Sequence, residues 1–365
     1  MTTPLRVGIV GVGTISAQYL ASLPRLPGLR LTAVADLDGD RAAVVAAEQG
    51  VTALSVPGLL ASSDVDVVLN LTVPAAHVPV GTAALEAGKH LYAEKPLGLS
   101  AAEAAPMLAL AQERGLRVGS APDTVLGTGI QTARRLLDDG TVGEPHAAAV
   151  SWSSSGHEAW HPAPFFYYQP GGGPLLDMGP YYLTALVTLL GPVERVVGTS
   201  RRSTRERVVG AGPRAGEPVP VATDTSTEAI LEHRGGATST VTMSFDRWAT
   251  RRPLFEVYGT AGTLAVPDPN HFSGAVEVWT TTTREWQTAE VAAGYADAGR
   301  GYGLADLARA VATDRPHRTS GALAQHVLEI MDAVSRSSAE GAVVPLTTSV
   351  ERPEPVPLGS TPDSW

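Results

Sequence analysis

Apolar positions along this chain fall into two textures. Over roughly the first 120 residues, runs at 5–10, 31–35, 65–71, 91–93 and 117–120 are short and rich in Val, Leu and Ile. Ala-rich stretches of helical length and leucine spacing, such as 75–87 and 101–114, lie between them. Alternating strands and helices predict a parallel sheet covered on both faces. After about residue 122 the runs at 147–152, 228–233, 238–245 and 254–258 read as antiparallel strands joined by Gly-rich turns, with Arg234-Gly235-Gly236 the clearest hairpin. Helical patterns at 177–190, 304–313 and 323–337 interrupt or follow them. The expected fold is an α/β domain over 1–122 and an α+β domain with a large, mainly antiparallel sheet over 123–350. A proline-rich, linker-like tail, ERPEPVPLGSTPDSW, occupies 351–365.

Composition narrows the function. A chain of 365 residues, 44% hydrophobic and 18% charged, suits two globular domains, and no apolar run approaches the length of a membrane span. The start, MTTPLRVGIVGVG, lacks a basic leader and reads as a mature cytoplasmic terminus. The absence of cysteine excludes disulfides, thiolate metal ligands and cysteine nucleophiles, and fits a reducing compartment. A net charge of -10 argues against a nucleic-acid partner; only Arg201, Arg202, Arg205 and Arg207 cluster, and these read as a solvated loop.

The strongest local motif is VGIVGVGTIS. A strand runs into Gly11-Val12-Gly13-Thr14-Ile15-Ser16, which is G-x-G-x-x-G with serine in the last place, and a helical pattern follows at once. Gly11 permits the tight turn, Gly13 lets a pyrophosphate approach the backbone, and the amides near Thr14 and Ile15 face the phosphates at the helix start. Asp36, at the end of the second strand, is the acidic partner that accepts ribose hydroxyls and repels a 2′-phosphate. A Rossmann nucleotide-binding domain with NAD as cofactor is expected. NADP remains open because Arg41 could reach a phosphate.

Three further blocks follow in order: Thr72, Pro74 and His77 (T-x-P-x-x-H), then Glu94, Lys95 and Pro96 (E-K-P), then GGGPLLDMGPY from Gly171 to Tyr181. Together with the glycine turn, they resemble the glucose-fructose oxidoreductase, inositol dehydrogenase and MocA family over nearly the whole chain. The resemblance implies that Thr72 and Pro74 contact the nicotinamide half of the cofactor and that Lys95 lies between nicotinamide and substrate. It implies that Glu94 holds Lys95 or a cofactor ribose, that His77 starts a helix, and that Asp177 faces the substrate or Tyr181. It also implies a homodimer or homotetramer formed through the sheet of the second domain. The usual histidine of the third block is Tyr181 here, as in some branches of the family. Oxidising an alcohol requires its proton to leave, and a tyrosine with an ordinary pKa of about 10 is a poor base at neutral pH. A lysine ammonium alongside would stabilise the phenolate, and Lys95 is the candidate.

Residues 156–173, GHEAWHPAPFFYYQPGGG, contain His157-Glu158-Ala159-Trp160-His161, the H-E-x-x-H of zinc peptidases. A zinc site of that kind needs both histidines on one face of a helix. Here the serines and glycine before the motif and Pro162, Pro164 and Pro170 after it predict a loop, so no metal is expected. His157, Trp160 and His161 become candidates for binding a polyhydroxylated substrate, with His161 an alternative base to Tyr181. Asp123 and Tyr302 are further substrate-binding candidates; His317 and His326 read as structural. The expected activity is NAD(P)-dependent hydride transfer at a secondary alcohol of a sugar, polyol or inositol-like compound. The alternatives are a redox-neutral sugar-modifying enzyme with tightly held NAD and a non-catalytic NAD-binding regulator.

Overall fold

The computed structural model of the protein describes residues 3–362. They form two compact units. The first takes in the chain up to Thr128, Ala293–Gln325 and the chain from Pro353; the second comprises Gly129–Ala292 and His326–Arg352.

In the first unit β1 (Leu5–Val10), α1 (Ser16–Ser22), β2 (Leu29–Ala35), α2 (Gly39–Gln49), β3 (Thr52–Ala53), α3 (Val56–Ala61), β4 (Val67–Asn70), α4 (Pro74–Glu86), β5 (His90–Ala93), α5 (Ala101–Glu113) and β6 (Val118–Ser120) alternate. The strands form one six-stranded sheet in the order β3-β2-β1-β4-β5-β6, with every pairing parallel. Strand β4 is buried at every position, as a strand covered on both faces requires. Strand order reverses between β1 and β4, so the carboxyl ends of these two strands open a crevice at the switch point. Local chemistry fixes the helices around it. Asp38 caps α2 by accepting from the Arg41 amide, left-handed Gly50 ends it, and Ser100 caps α5 by accepting from the Glu103 amide.

The second unit is built on α6 (Thr128–Asp138), β7 (Pro145–Ser153), α7 (Pro174–Leu190), β8 (Val193–Arg201), β9 (Ser226–His233), β10 (Thr238–Ser244), β11 (Phe255–Gly259), β12 (Gly262–Ala265), β13 (Glu277–Thr280) and β14 (Trp286–Thr288). The chain then forms α8 (Tyr302–Thr313), α9 (Gly321–Glu340) and β15 (Val344–Pro345). The sheet runs β14-β13-β12-β11-β7-β10-β9-β8-β15, antiparallel except for the parallel pair of β7 with β10. Helix α7 packs on β7, β9 and β10 and is buried along nearly its whole length, which is why its sequence is apolar on every side.

Several sequence expectations change. Helix α8, read with the second half of the chain, belongs to the first unit. The proline-rich tail is extended but not a loose linker: Arg318 donates to the Glu354 and Pro355 carbonyls at 2.8 and 2.9 Å, the Gly294 amide donates to the Val356 carbonyl, and Val356 is fully buried. Residues 363–365 of that tail, like Met1 and Thr2 of the start, lie outside the described residues. The arginine cluster is not a solvated loop. Arg201 and Arg202 are exposed, but Arg205 is half-buried and Arg207 is buried, drawn inward by Glu158 and Asp246. Among the described residues, no helix is long and apolar enough to cross a membrane.

Candidate active site

The first unit carries the glycine turn. Gly11 has φ of 92°, and a Cβ there would lie 2.9 Å from the Leu71 carbonyl carbon and oxygen, so only glycine lets β1 turn beside the end of β4. Ser16, in place of the third glycine, is buried and donates from Oγ to the Gly13 carbonyl at 2.7 Å, closing the turn with its own side chain. Gly13 and Thr14 are exposed, and nothing stands within 4 Å of a Cβ placed on Gly13. Among the described residues no acceptor takes the Gly13, Thr14 or Ile15 amides. Asp36 Oδ2 accepts from the Val12 amide at 2.8 Å and Oδ1 from the Asp38 amide at 2.9 Å. Each carboxylate oxygen can accept a second bond. Donors for a pyrophosphate and acceptors for ribose hydroxyls are thus both at hand, and the residues fit a dinucleotide. Arg41 stands nearer than its sequence position suggested, with Nη1 3.8 Å from Asp36 Oδ2 and Nη2 3.1 Å from Asp38.

The two neighbouring motifs are tied to each other. Thr72 donates through Oγ1 to Asn70 Oδ1 at 2.6 Å, and Pro74 opens α4. His77 is buried one turn further on, with Nδ1 2.6 Å from the Pro96 carbonyl and Nε2 2.9 Å from the Thr72 carbonyl, so it joins both turns. Glu94 is buried, not part of a surface salt bridge. It accepts from the Tyr19 hydroxyl at 2.7 Å and from the Lys95 amide at 3.0 Å, fixing the backbone that carries the half-buried Lys95 side chain.

Asp123, expected from the sequence at the substrate, is fully buried. It accepts from Arg300 Nη1 at 3.3 Å and from the Gly301 and Gly303 amides at 2.8 and 3.2 Å, holding the start of α8. Burial pushes its carboxyl above the ordinary range, against the opposing pull of Arg300. Tyr302, the first residue of α8, is likewise buried, its ring 5.5 Å from that of Tyr295.

The second unit carries α7 and the loop before it. Asp177 stands in the first turn of α7, and Tyr181, buried, one turn later. The HEAWH stretch forms a short 3-10 turn, His157–Ala159, not an α-helix. Its three candidate side chains take separate partners. His157 is buried and meets Asp177 Oδ2 through Nε2 at 3.0 Å. Glu158 is buried against Arg205, Arg207 and Tyr168. His161 is half-buried, accepts at Nδ1 from the Ala163 amide at 3.0 Å, and packs against Trp160, Phe166 and Tyr167. Burial pushes its imidazole below the ordinary histidine value. Trp160 is 57% exposed and Phe166 56%. No group of three or more metal-ligating side chains comes together among the described residues.

Sequence reasoning missed Tyr19, Asn70, Tyr168 and Asp246, and read Arg207 as exposed. Only Asn70 had a local signal, a polar residue inside an apolar run; the others acquire their roles through partners distant in the chain.

Residues 5–121 match a model described as an oxidoreductase family with an NAD-binding Rossmann fold, and residues 130–265 match the GFO/IDH/MocA C-terminal domain. The chain is 34% identical over 218 residues to a dTDP-3,4-didehydro-2,6-dideoxy-alpha-D-glucose 3-reductase of Streptomyces violaceoruber, covering 59% of this chain and 63% of that protein. It is 31% identical over 265 residues to an enzyme of the same name from Actinomadura kijaniata, covering 72% of this chain and 74% of the relative. The chain thus spans less than two thirds of the Streptomyces protein. Among solved structures, an NAD binding oxidoreductase from Klebsiella pneumoniae superposes with a TM-score of 0.83 at 22% identity, covering 95% of this chain and all of that one. With both domain models matched in order, the chain belongs to the GFO/IDH/MocA oxidoreductase family, and its first domain is of the NAD-binding Rossmann type.

Proposed function

We propose that the protein is an NAD(P)-dependent oxidoreductase that moves a hydride between a secondary alcohol of a sugar, polyol or inositol-like compound and nicotinamide. The observation that carries this is the glycine turn, with its exposed Gly13, its amides without an acceptor among the described residues and the two half-filled oxygens of Asp36. The sugar class is supported by the names of the Streptomyces and Actinomadura relatives.

The dinucleotide, when bound, supplies the acceptor or donor of the hydride. The Gly13, Thr14 and Ile15 amides would hold its pyrophosphate, Asp36 its ribose hydroxyls, and Thr72 and Pro74 its nicotinamide half. The Lys95 ammonium donates to the reacting hydroxyl and stabilises negative charge as it develops, while Glu94 keeps the lysine backbone in place. Tyr181 takes or returns the hydroxyl proton, and Asp177 orients the reacting group. His161 is the other candidate for the proton, with Nε2 as the nitrogen not bound to Ala163. The protein is further proposed to be cytoplasmic and to self-associate through the nine-stranded sheet, where Val197 is 42% and Ile230 46% exposed.

A panel of sugars, polyols and inositols, assayed by NADH absorbance with NAD and NADP in parallel, tests the activity. Turnover on a member of the panel is expected, with Lys95→Met and Tyr181→Phe each lowering kcat by about 10²-fold or more while NAD affinity survives. No turnover on any compound with either cofactor would reject the function. A mild Tyr181→Phe beside a severe His161→Asn would move the proton to His161.

A further inference from the structure

We propose that His157 is a positioning residue that orients the Asp177 carboxylate, and that a buried ionic clamp around Glu158 exists to hold His157. The inference rests on the reading of Asp177 as part of the reacting site. The family block has Tyr181 where a histidine is usual, and an imidazole meets Asp177 from a loop 20 residues upstream.

Three observations fix the ring. Its Nε2 lies 3.0 Å from Asp177 Oδ2, while Nδ1 is buried with no hydrogen-bond partner among the described residues. A proton on Nδ1 would have nothing to bond to, so the ring proton belongs on Nε2, where it donates to the carboxylate. Four aromatic rings surround the imidazole: Tyr167 and Phe245 with centroids at 4.6 Å, Trp160 at 5.1 Å and Trp152 at 5.9 Å. Rotation about its side-chain bonds would displace one of them.

The backbone beneath the ring is held as firmly. The His157 amide donates to the Tyr168 hydroxyl at 3.1 Å, and that hydroxyl donates in turn to the Glu158 carboxylate. Burial, the largest cause, pushes the Tyr168 hydroxyl well above the ordinary tyrosine range, so it stays protonated and remains a donor. Glu158 also accepts from Arg207 at 2.8 Å and Arg205 at 3.1 Å, and Arg207 reaches on to Asp246 and to the Phe245 carbonyl at 3.2 Å. Two carboxylates thus face two guanidiniums. Gly156, with φ of 111°, lies so close that a Cβ would collide with the Glu158 carboxylate and Arg207. The glutamate of the HEAWH stretch is therefore an anchor for the histidine before it.

The test compares His157→Leu, His157→Gln, Asp177→Asn and the His157→Leu/Asp177→Asn double variant, with melting temperature and NAD affinity checking the fold. Loss of one hydrogen bond to a charged group predicts a kcat lower by about tenfold or more in His157→Leu, with the KM for NAD unchanged. His157→Gln, whose amide can donate from nearly the same place, should recover most of it. The double variant should be no slower than Asp177→Asn alone, because the histidine acts through the aspartate. Ring-nitrogen NMR should show an Nε2-protonated histidine that disappears in His157→Leu and shifts in Asp177→Asn. An unchanged kcat in His157→Leu, losses that multiply in the double variant, or an Nδ1-protonated ring would each overturn the proposal. If the unmodified protein turns over no sugar, the proposed function fails, and the NMR shift in Asp177→Asn alone decides whether His157 orients that carboxylate.

Discussion

At Asp36, two backbone donors and one guanidinium set the cofactor preference. Val12 and Asp38 occupy one acceptor site on each oxygen, and Arg41 is shared with Asp38, so its charge is largely neutralised before any phosphate arrives. NAD should therefore bind several-fold more tightly than NADP, and Asp36→Ala should narrow that gap, as calorimetric titration of each cofactor would show. Equal affinities in the unmodified protein would contradict the assignment. The glycine turn was legible from sequence because its geometry depends on close spacing: Gly11 takes the positive φ, and Asp36 closes on the turn through the Val12 amide. The burial of Asp123 and Arg207 was not legible because it depends on partners far away in the chain, Arg300 for one and Glu158 with Asp246 for the other. HEAWH shows the same limit. Its loop character could be read from the flanking prolines, but which histidine meets Asp177 could not.

Strands β1, β2, β4, β5 and β6 were legible at the scale of elements because their apolar runs match burial on both faces. Strand β3 has only two residues and β8, VERVVGTSR, carries exposed charged positions, so neither stood out. Helix α9 carries a pH-sensitive contact with the start of β8. His326 is fully buried, its Nε2 accepts from the Val193 amide at 3.0 Å, and its Nδ1 bonds Thr348 Oγ1 at 2.9 Å. Protonating Nε2 would set two donors against each other. Burial, only partly opposed by Glu329, pushes the imidazole down to about 4. The unfolded chain takes up this proton below about pH 6.5, while the folded chain resists until about pH 4. The contribution is therefore complete above pH 6.5 and falls away as the pH drops to 4, by roughly 3 kcal/mol in all. Urea unfolding at pH 7 and pH 4.5 should show a steeper loss in the unmodified protein than in His326→Gln; equal losses would exclude His326 as a source.

The whole molecule is two units whose chain segments interleave. The first unit is completed by Ala293–Gln325 and by the chain from Pro353, a return that no local texture announces, because α8 looks like any amphipathic helix until its packing is known. The class of each unit was nonetheless legible, since alternating strand and helix on one side and hairpin-like runs on the other need only local pattern. The central claim is direct hydride transfer from a sugar or polyol carbon to nicotinamide. Its most direct test is a substrate from the active panel, deuterated at the reacting carbinol carbon, followed by mass spectrometry of the reduced cofactor. One deuterium should appear in the nicotinamide ring, and the rate should fall by an isotope effect if hydride transfer limits turnover. Reduced cofactor carrying no deuterium, or a sugar changed with no net cofactor reduction, would contradict the account.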